Sequence, residues 1–245
     1  MISCVLSLVS AVWSTVALSN EFTISPFALY EQSAKSIVID GVSTKYGLGV
    51  LGTEIKTNIS DQLQLSGKIG YGQNNDQAVS FSGAKFNGMV RGSYLEGAGR
   101  YAFYANDTYA LFGDAKIINR TLHASDLTGT RNGLALTGTA DTTIRTVDAL
   151  LGVKYFLTEM TSVKLAAGYH QWHLIADATG YYASNGITAT ARKKINTIGI
   201  DPVFEFSIED TQANRTIVAK IASRSLQSEA NTEILTAELI YQLSF

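Results

Sequence analysis

The chain of 245 residues is 46% hydrophobic and only 16% charged, where an ordinary soluble domain carries about 25% charged residues. Its formal net charge of −2 leaves no basic footprint for nucleic acid and no acidic tail. Cys4 is the single cysteine, which excludes an intramolecular disulfide framework and a cysteine-based zinc site.

In chain order, residues 1–19 form the only long, uncharged, mainly apolar run, and Ala17-Leu18-Ser19 fits a small-x-small cleavage site. The expectation is a signal peptide over 1–19, although no Lys or Arg precedes the apolar region. Residues 20–245 then read as one all-β domain built of two-faced strands. The first, 21–31, carries Phe22, Ile24, Ala28 and Tyr30 on one face, with Pro26 in its middle. Residues 44–57 and 62–73 form a hairpin around Asn58–Asp61, and Leu63, Leu65, Gly67, Ile69 and Tyr71 alternate with polar partners. A period of two places such rows on opposite faces of a strand. The same pattern flanks Ala105-Asn106-Asp107, with Leu95 to Phe103 before it and Tyr109 to Ile117 after it. It recurs around Thr158–Thr161 and again near Glu209–Gln212, which follows the most apolar row, Ile198 to Ile208.

The last eleven residues, Leu235–Phe245, close the series. Phe245, Leu243, Tyr241, Leu239, Ala237 and Leu235 make the apolar row, and Ile240 breaks an otherwise polar opposite face. The stretch resembles the closing strand of Gram-negative outer-membrane β-barrels, and the chain as a whole resembles the small barrels of the opacity and OmpA-like type. The resemblance implies an assembly signal at Tyr241, Leu243 and Phe245, read by the barrel-assembly machinery. It also implies an exported, monomeric protein of the bacterial outer membrane in contact with lipid and lipopolysaccharide.

The count is about ten strands in a single closed antiparallel up-and-down transmembrane β-barrel, an even number as such barrels use. Eight or twelve strands stay open, because 79–86 reads as an extension of its neighbours. Tight turns alternate with looser connections near 32–43, 74–87, 119–142, 176–192 and 226–231, so the expectation is short turns on one rim and surface loops on the other. Aromatic residues are expected to form two girdles: Tyr101, Phe103, Tyr109, Tyr155, Phe204, Phe206, Tyr241 and Phe245 at the short-turn rim, and Tyr46, Tyr71 and Tyr169 toward the other. A soluble β-sandwich would also alternate, but it accounts for neither the girdles nor the terminal aromatic.

Facing assigns thirteen charges to the lumen: Lys68, Glu96, Arg100, Asp114, Lys116, Asp148, Lys154, Lys164, Asp201, Glu205, Lys220, Arg224 and Glu238. Near balance of sign predicts ion pairs across a plugged interior, serving envelope structure or surface interaction. A narrow pore for small solutes is the alternative. Enzymes on this architecture, the omptin-like proteases and lipid A deacylases, need Asp, His or Ser at the outer rim. With three histidines in the chain, His170 and His173 fall on opposite faces of one strand. His123, Ser125 and Asp126 cluster only as loop residues. The expectation is no catalysis, no cofactor and no metal.

Overall fold

The computed structural model describes residues 22–81, 83–184, 187–212, 215–227 and 232–243. The leader over 1–19 and the terminal Phe245 lie outside the described residues. Among them are twelve strands: β1 (Phe22–Ser33), β2 (Ile37–Ile39), β3 (Val42–Lys45), β4 (Gly47–Asn58), β5 (Leu63–Phe81), β6 (Ala84–Ala105), β7 (Tyr109–Arg131), β8 (Leu134–Phe156), β9 (Thr161–Ser184), β10 (Ile187–Gln212), β11 (Arg215–Leu226) and β12 (Thr232–Leu243).

Ten of them close a ring. Each pairs antiparallel with the next, and β1 pairs with both β4 and β12, so no edge remains open in the ring. Closure is what hydrocarbon demands, because an unpaired N–H or C=O finds no water there. Pro26 faces outward on β1 opposite Thr53, within an otherwise regular ladder.

The ring is lopsided. β1, β4, β11 and β12 have 12 residues each, close to the ~9–11 that cross a bilayer as a tilted strand. β6 to β10 have 22 to 26, about twice that length. The stretches 74–87, 119–142 and 176–192, expected as loose loops, are largely continuations of the strands on either side. Pairing carries on through them, with register shifts between Asn74 and Gln77, Asn87 and Arg91, and Ala124 and Leu127, and β7–β8 reverses through Asn132 (φ 50°) and Gly133 (φ 80°). Two consecutive positive φ values match the right-handed twist of the arms, and Asn-Gly adopts them readily. The looser connection 32–43 holds the hairpin β2–β3, turned by Asp40 (φ 50°) and Gly41 (φ 75°). β3 pairs with the upper end of β5, and the hairpin fills the notch above the short strands.

The tall strands change polarity along their length. On β7 the outward side chains are Ala115 and Ile117 low down, then Asn119, Thr121, His123 and Ser125 above. The inward ones are Asp114 and Lys116 below, then Ile118, Leu122 and Ala124 above, all buried. β8 switches between Val147 and Arg145, β9 just above Tyr169, and β10 between Ile198 and Asn196. Below this level the exterior is apolar, with Leu51, Leu151, Tyr169, Ile200 and Ile69 all more than 60% exposed. Above it the barrel has the polar outside and apolar inside of a water-soluble protein. The aromatic residues Tyr71 and Tyr169 stand outward near the switch level, while Tyr101, Phe103, Tyr155 and Phe204 stand outward toward the short-turn rim. Tyr46 is the correction: it is 4% exposed and points inward, held there by Glu31.

Candidate functional site

The interior of the lower half is an ion-pair lattice that joins neighbouring strands and also strands three places apart in the ring. Lys68 on β5 reaches Glu238 on β12 at 2.5 Å, with Glu96 at 3.3 Å and Glu54 at 3.8 Å. Lys220 also pairs with Glu238. Glu205 on β10 is shared by Lys116 on β7, by Arg224 at 3.5 Å and by Lys164 at 3.9 Å. Asp114 takes Arg100 through two hydrogen bonds, at 2.7 and 3.1 Å, and Lys164 at 2.9 Å. Asp148 takes Arg224 at 2.8 Å, and Lys154 pairs with Glu209 at 3.0 Å toward the short-turn rim. Asp201 accepts a hydrogen bond from the buried Trp172 indole at 2.9 Å. The thirteen charges singled out by facing therefore all point inward, and each is buried or half-buried.

The strands in this region turn apolar side chains outward, so every second residue faces the enclosed interior, and that is where the charges fall. A buried charge is tolerable only when paired and hydrogen-bonded, and acids and bases on neighbouring strands meet that need. Aromatic faces add to it: the Arg100 guanidinium lies 4.8 Å from the Phe112 ring centroid, and the Lys164 ammonium lies 4.9 Å from the same ring.

Glu31, Glu54, Arg120 and Glu209 are members that fall outside the set read by facing. Glu31 (0% exposed) and Arg120 (1%) form a two-pronged pair at 2.5 and 2.6 Å. The Tyr46 hydroxyl donates to Glu31 at 2.9 Å, and Thr236 donates to it at 3.3 Å. Arg120 also donates to Thr146 at 3.3 Å and lies 5.5 Å from the Tyr94 ring. The pair sits at the polarity switch and forms the ceiling of the charged half. The signal for Arg120 was its place in the row Ile118, Arg120, Leu122, Ala124, which continues the alternation of β7.

Above this ceiling the interior is a hydrophobic core. Phe86, Val90, Leu122, Leu127, Ile144, Leu174 and Ile195 meet Ile37, Ile39 and Val42 of the β2–β3 hairpin. At the hairpin tip Asp40 pairs with Lys193 of β10 at 2.5 Å, tying the hairpin across the notch.

The histidines are separated by the fold. His170 is 1% exposed, with Nε2 2.7 Å from the Ser225 carbonyl. His173 faces outward, 2.6 Å from Asn196 Oδ1. His123 Nδ1 lies 2.6 Å from Asp141 Oδ1 on the outer surface, while Ser125 donates its hydroxyl to Asp126 at 2.7 Å and not to the imidazole. That arrangement has no bond between nucleophile and base, which a serine hydrolase requires. Among the described residues no group of three His, Cys, Asp or Glu side chains is placed to hold a metal ion. Of the positions implied as an assembly signal, Tyr241 stands outward at 37% exposure and Leu243 pairs with Arg215 in the β11–β12 ladder.

No protein-family model matches the sequence, and no curated protein matches it. The fold is nevertheless shared with solved outer-membrane β-barrels. The translocator domain of the autotransporter NalP from Neisseria meningitidis superposes with a TM-score of 0.54 at 12% identity, covering 100% of this chain and 96% of that one. The outer membrane protease OmpT from Escherichia coli gives 0.51 at 8% identity, covering 90% and 93%. At such identities the likeness is one of architecture: this chain is an all-β, antiparallel, up-and-down barrel of the outer-membrane type.

Proposed function

We propose that the protein is an integral outer-membrane barrel, monomeric in the bilayer, whose interior is closed to bulk solutes and whose tall hairpins form a rigid surface structure outside the cell. One observation carries the reading. The same strands are apolar outward and ionic inward over one bilayer height, and the polarity reverses above it. A side chain such as Leu151 or Ile200 gains roughly 1.5–3 kcal/mol on leaving water, so a continuous outward band of them requires lipid.

The closed lumen rests on the lattice around Glu205 and Glu238 and on the core above the Glu31–Arg120 pair. Lysines and arginines span the interior to acids on distant strands, in the space a channel would need to keep wet. The role in the envelope is therefore one of structure and surface contact. Export through a cleaved leader over 1–19, contact with lipopolysaccharide, and delivery by the assembly machinery through Tyr241, Leu243 and Phe245 complete the proposal.

Planar-bilayer recording on the refolded protein tests the closed lumen. The expected record is a quiet bilayer, and steady open-channel currents would overturn the reading in favour of a narrow pore. Deletion of Phe245 is expected to reduce the amount of barrel assembled in the membrane; assembly at normal levels would refute the terminal signal.

A further inference from the structure

The core above the Glu31–Arg120 pair is not filled. It encloses a cavity of about 80 Å³. On a scale where roughly 10–15 Å³ holds one water, that is room for on the order of six heavy atoms. Ile37, Ile39 and Val42 of β2–β3 line it, and the barrel strands contribute four alanines, Ala124, Ala140, Ala176 and Ala178, among larger aliphatic residues. Alanines at those positions leave space that larger side chains would fill.

Water is a poor occupant. Three lining residues carry a hydroxyl, Thr44, Tyr46 and Thr142; Thr44 donates to the Ala78 carbonyl at 3.1 Å and Tyr46 to Glu31 at 2.9 Å. A buried water needs two to four polar partners, and apolar cavities of this kind stay dry and take apolar guests. The lining has one charged member, Lys193. Its side chain is 30% exposed, and its ammonium pairs with Asp40 of the hairpin tip, whose side chain is 67% exposed. An apolar pocket with one partly exposed cation in its lining, paired with a carboxylate that solvent can reach, matches a molecule with an alkyl body and an anionic end.

We infer that the upper chamber binds a short-chain aliphatic carboxylate, its alkyl tail among the hairpin isoleucines and the four alanines and its carboxylate in the place of Asp40 at Lys193. The closed hairpin is then the empty state, with Asp40 acting as an internal stand-in for the ligand head. The bound tail fills space left open among the described side chains, and the charged end remains near water, where its desolvation is small.

The test is methyl NMR on the protein in lipid nanodiscs, titrated with hexanoate and with its neutral counterpart hexanamide. Hexanoate is expected to give saturable shifts at Ile37, Ile39, Leu122 and Ile195, with Leu151 on the lipid face unmoved. Ala176→Leu, or Ala140→Leu as an independent filling, is expected to abolish those shifts while leaving the rest of the spectrum in place. Lys193→Gln should weaken hexanoate about tenfold, the loss of one charge-assisted contact, without changing hexanamide. Asp40→Asn should tighten hexanoate, because the ammonium no longer has a partner to give up. The site is refuted by shifts that never saturate and include Leu151, which mark partition into the bilayer, or by saturable shifts that survive both filling variants. Equal binding of hexanamide and hexanoate, or weaker hexanoate binding by Asp40→Asn, would overturn the assignment of the carboxylate to Lys193.

Discussion

Below the level of Ile117 and Val147 the barrel is greasy outside and ionic inside; above it the same strands are wet outside and greasy inside. Two barrels of opposite polarity are thus joined end to end on continuous backbones. The ladders of β7–β8 and β8–β9 pass through the junction in unbroken register. What changes is the phase of the hydrophobic alternation, which moves by one residue. A one-residue shift exchanges the two faces of a strand, so a single step in phase is enough to change the solvent a barrel is built for.

The comparison can be broken most severely from the inside. Glu205→Leu removes the acid shared by Lys116, Lys164 and Arg224; Lys164 keeps Asp114 and Arg224 keeps Asp148, but the buried Lys116 loses its ion-pair partner. The expected loss is about 3–5 kcal/mol, read from denaturant unfolding of the protein in lipid vesicles. A change under 1 kcal/mol would mean that water already solvates the lattice. From the outside, Leu151→Arg falls in the lipid-facing band and should cost about 2–4 kcal/mol. Thr143→Arg faces outward on the same strand above the switch and should stay within about 0.5 kcal/mol. Equal effects of the two substitutions would erase the membrane boundary drawn between Val147 and Arg145.

The smallest effect belongs to the exposed surface of the upper barrel. There the side-chain hydrogen bonds from Arg192 hold the Asp177 carboxyl below the ordinary carboxylate range. Because its folded pKa is depressed, the pair contributes to stability above the unfolded pKa, and that contribution disappears as pH falls through the folded value. An NMR titration of Asp177 should give a midpoint below that of an ordinary aspartate. Arg192→Gln should restore the ordinary value; an unchanged midpoint would show that the pair does not persist in solution.

Much of the lower barrel was legible in the sequence, since the row from Leu235 to Tyr241 and its counterparts on other strands alternate, with local exceptions such as Ile240. The inward charges followed from that alternation alone. The upper barrel was harder to read because its apolar row moves to the other face. Beyond Ile117, tracing the outward apolar row runs into Asn119, Thr121 and His123 and so resembles a polar loop. Two local signals were present nonetheless. Asn132-Gly133 and Asp40-Gly41 are dipeptides that favour two-residue hairpin turns, and they mark the β7–β8 reversal and the β2–β3 tip. The partnership of Glu31 with Arg120 was not legible, because it spans the barrel interior between residues whose strands are paired only through others.

The seam between β1 and β12 also governs how long the protein takes to become itself. Gln242 donates to Thr23 across 219 positions of the chain, and Glu31 and Thr236 meet across 205. Contacts of such separation are slow to form, and none of them exists until nearly the whole barrel has been laid down. Until then the acids and bases of the lattice must remain solvated one by one. The closing of one seam withdraws them from water together. Reopening it requires the reverse, with paired charges exposed to hydrocarbon before water can reach them. A barrel sealed in this way is protected by the height of that barrier as much as by its equilibrium stability. Once assembled, it should persist for times that its folding free energy alone would not predict.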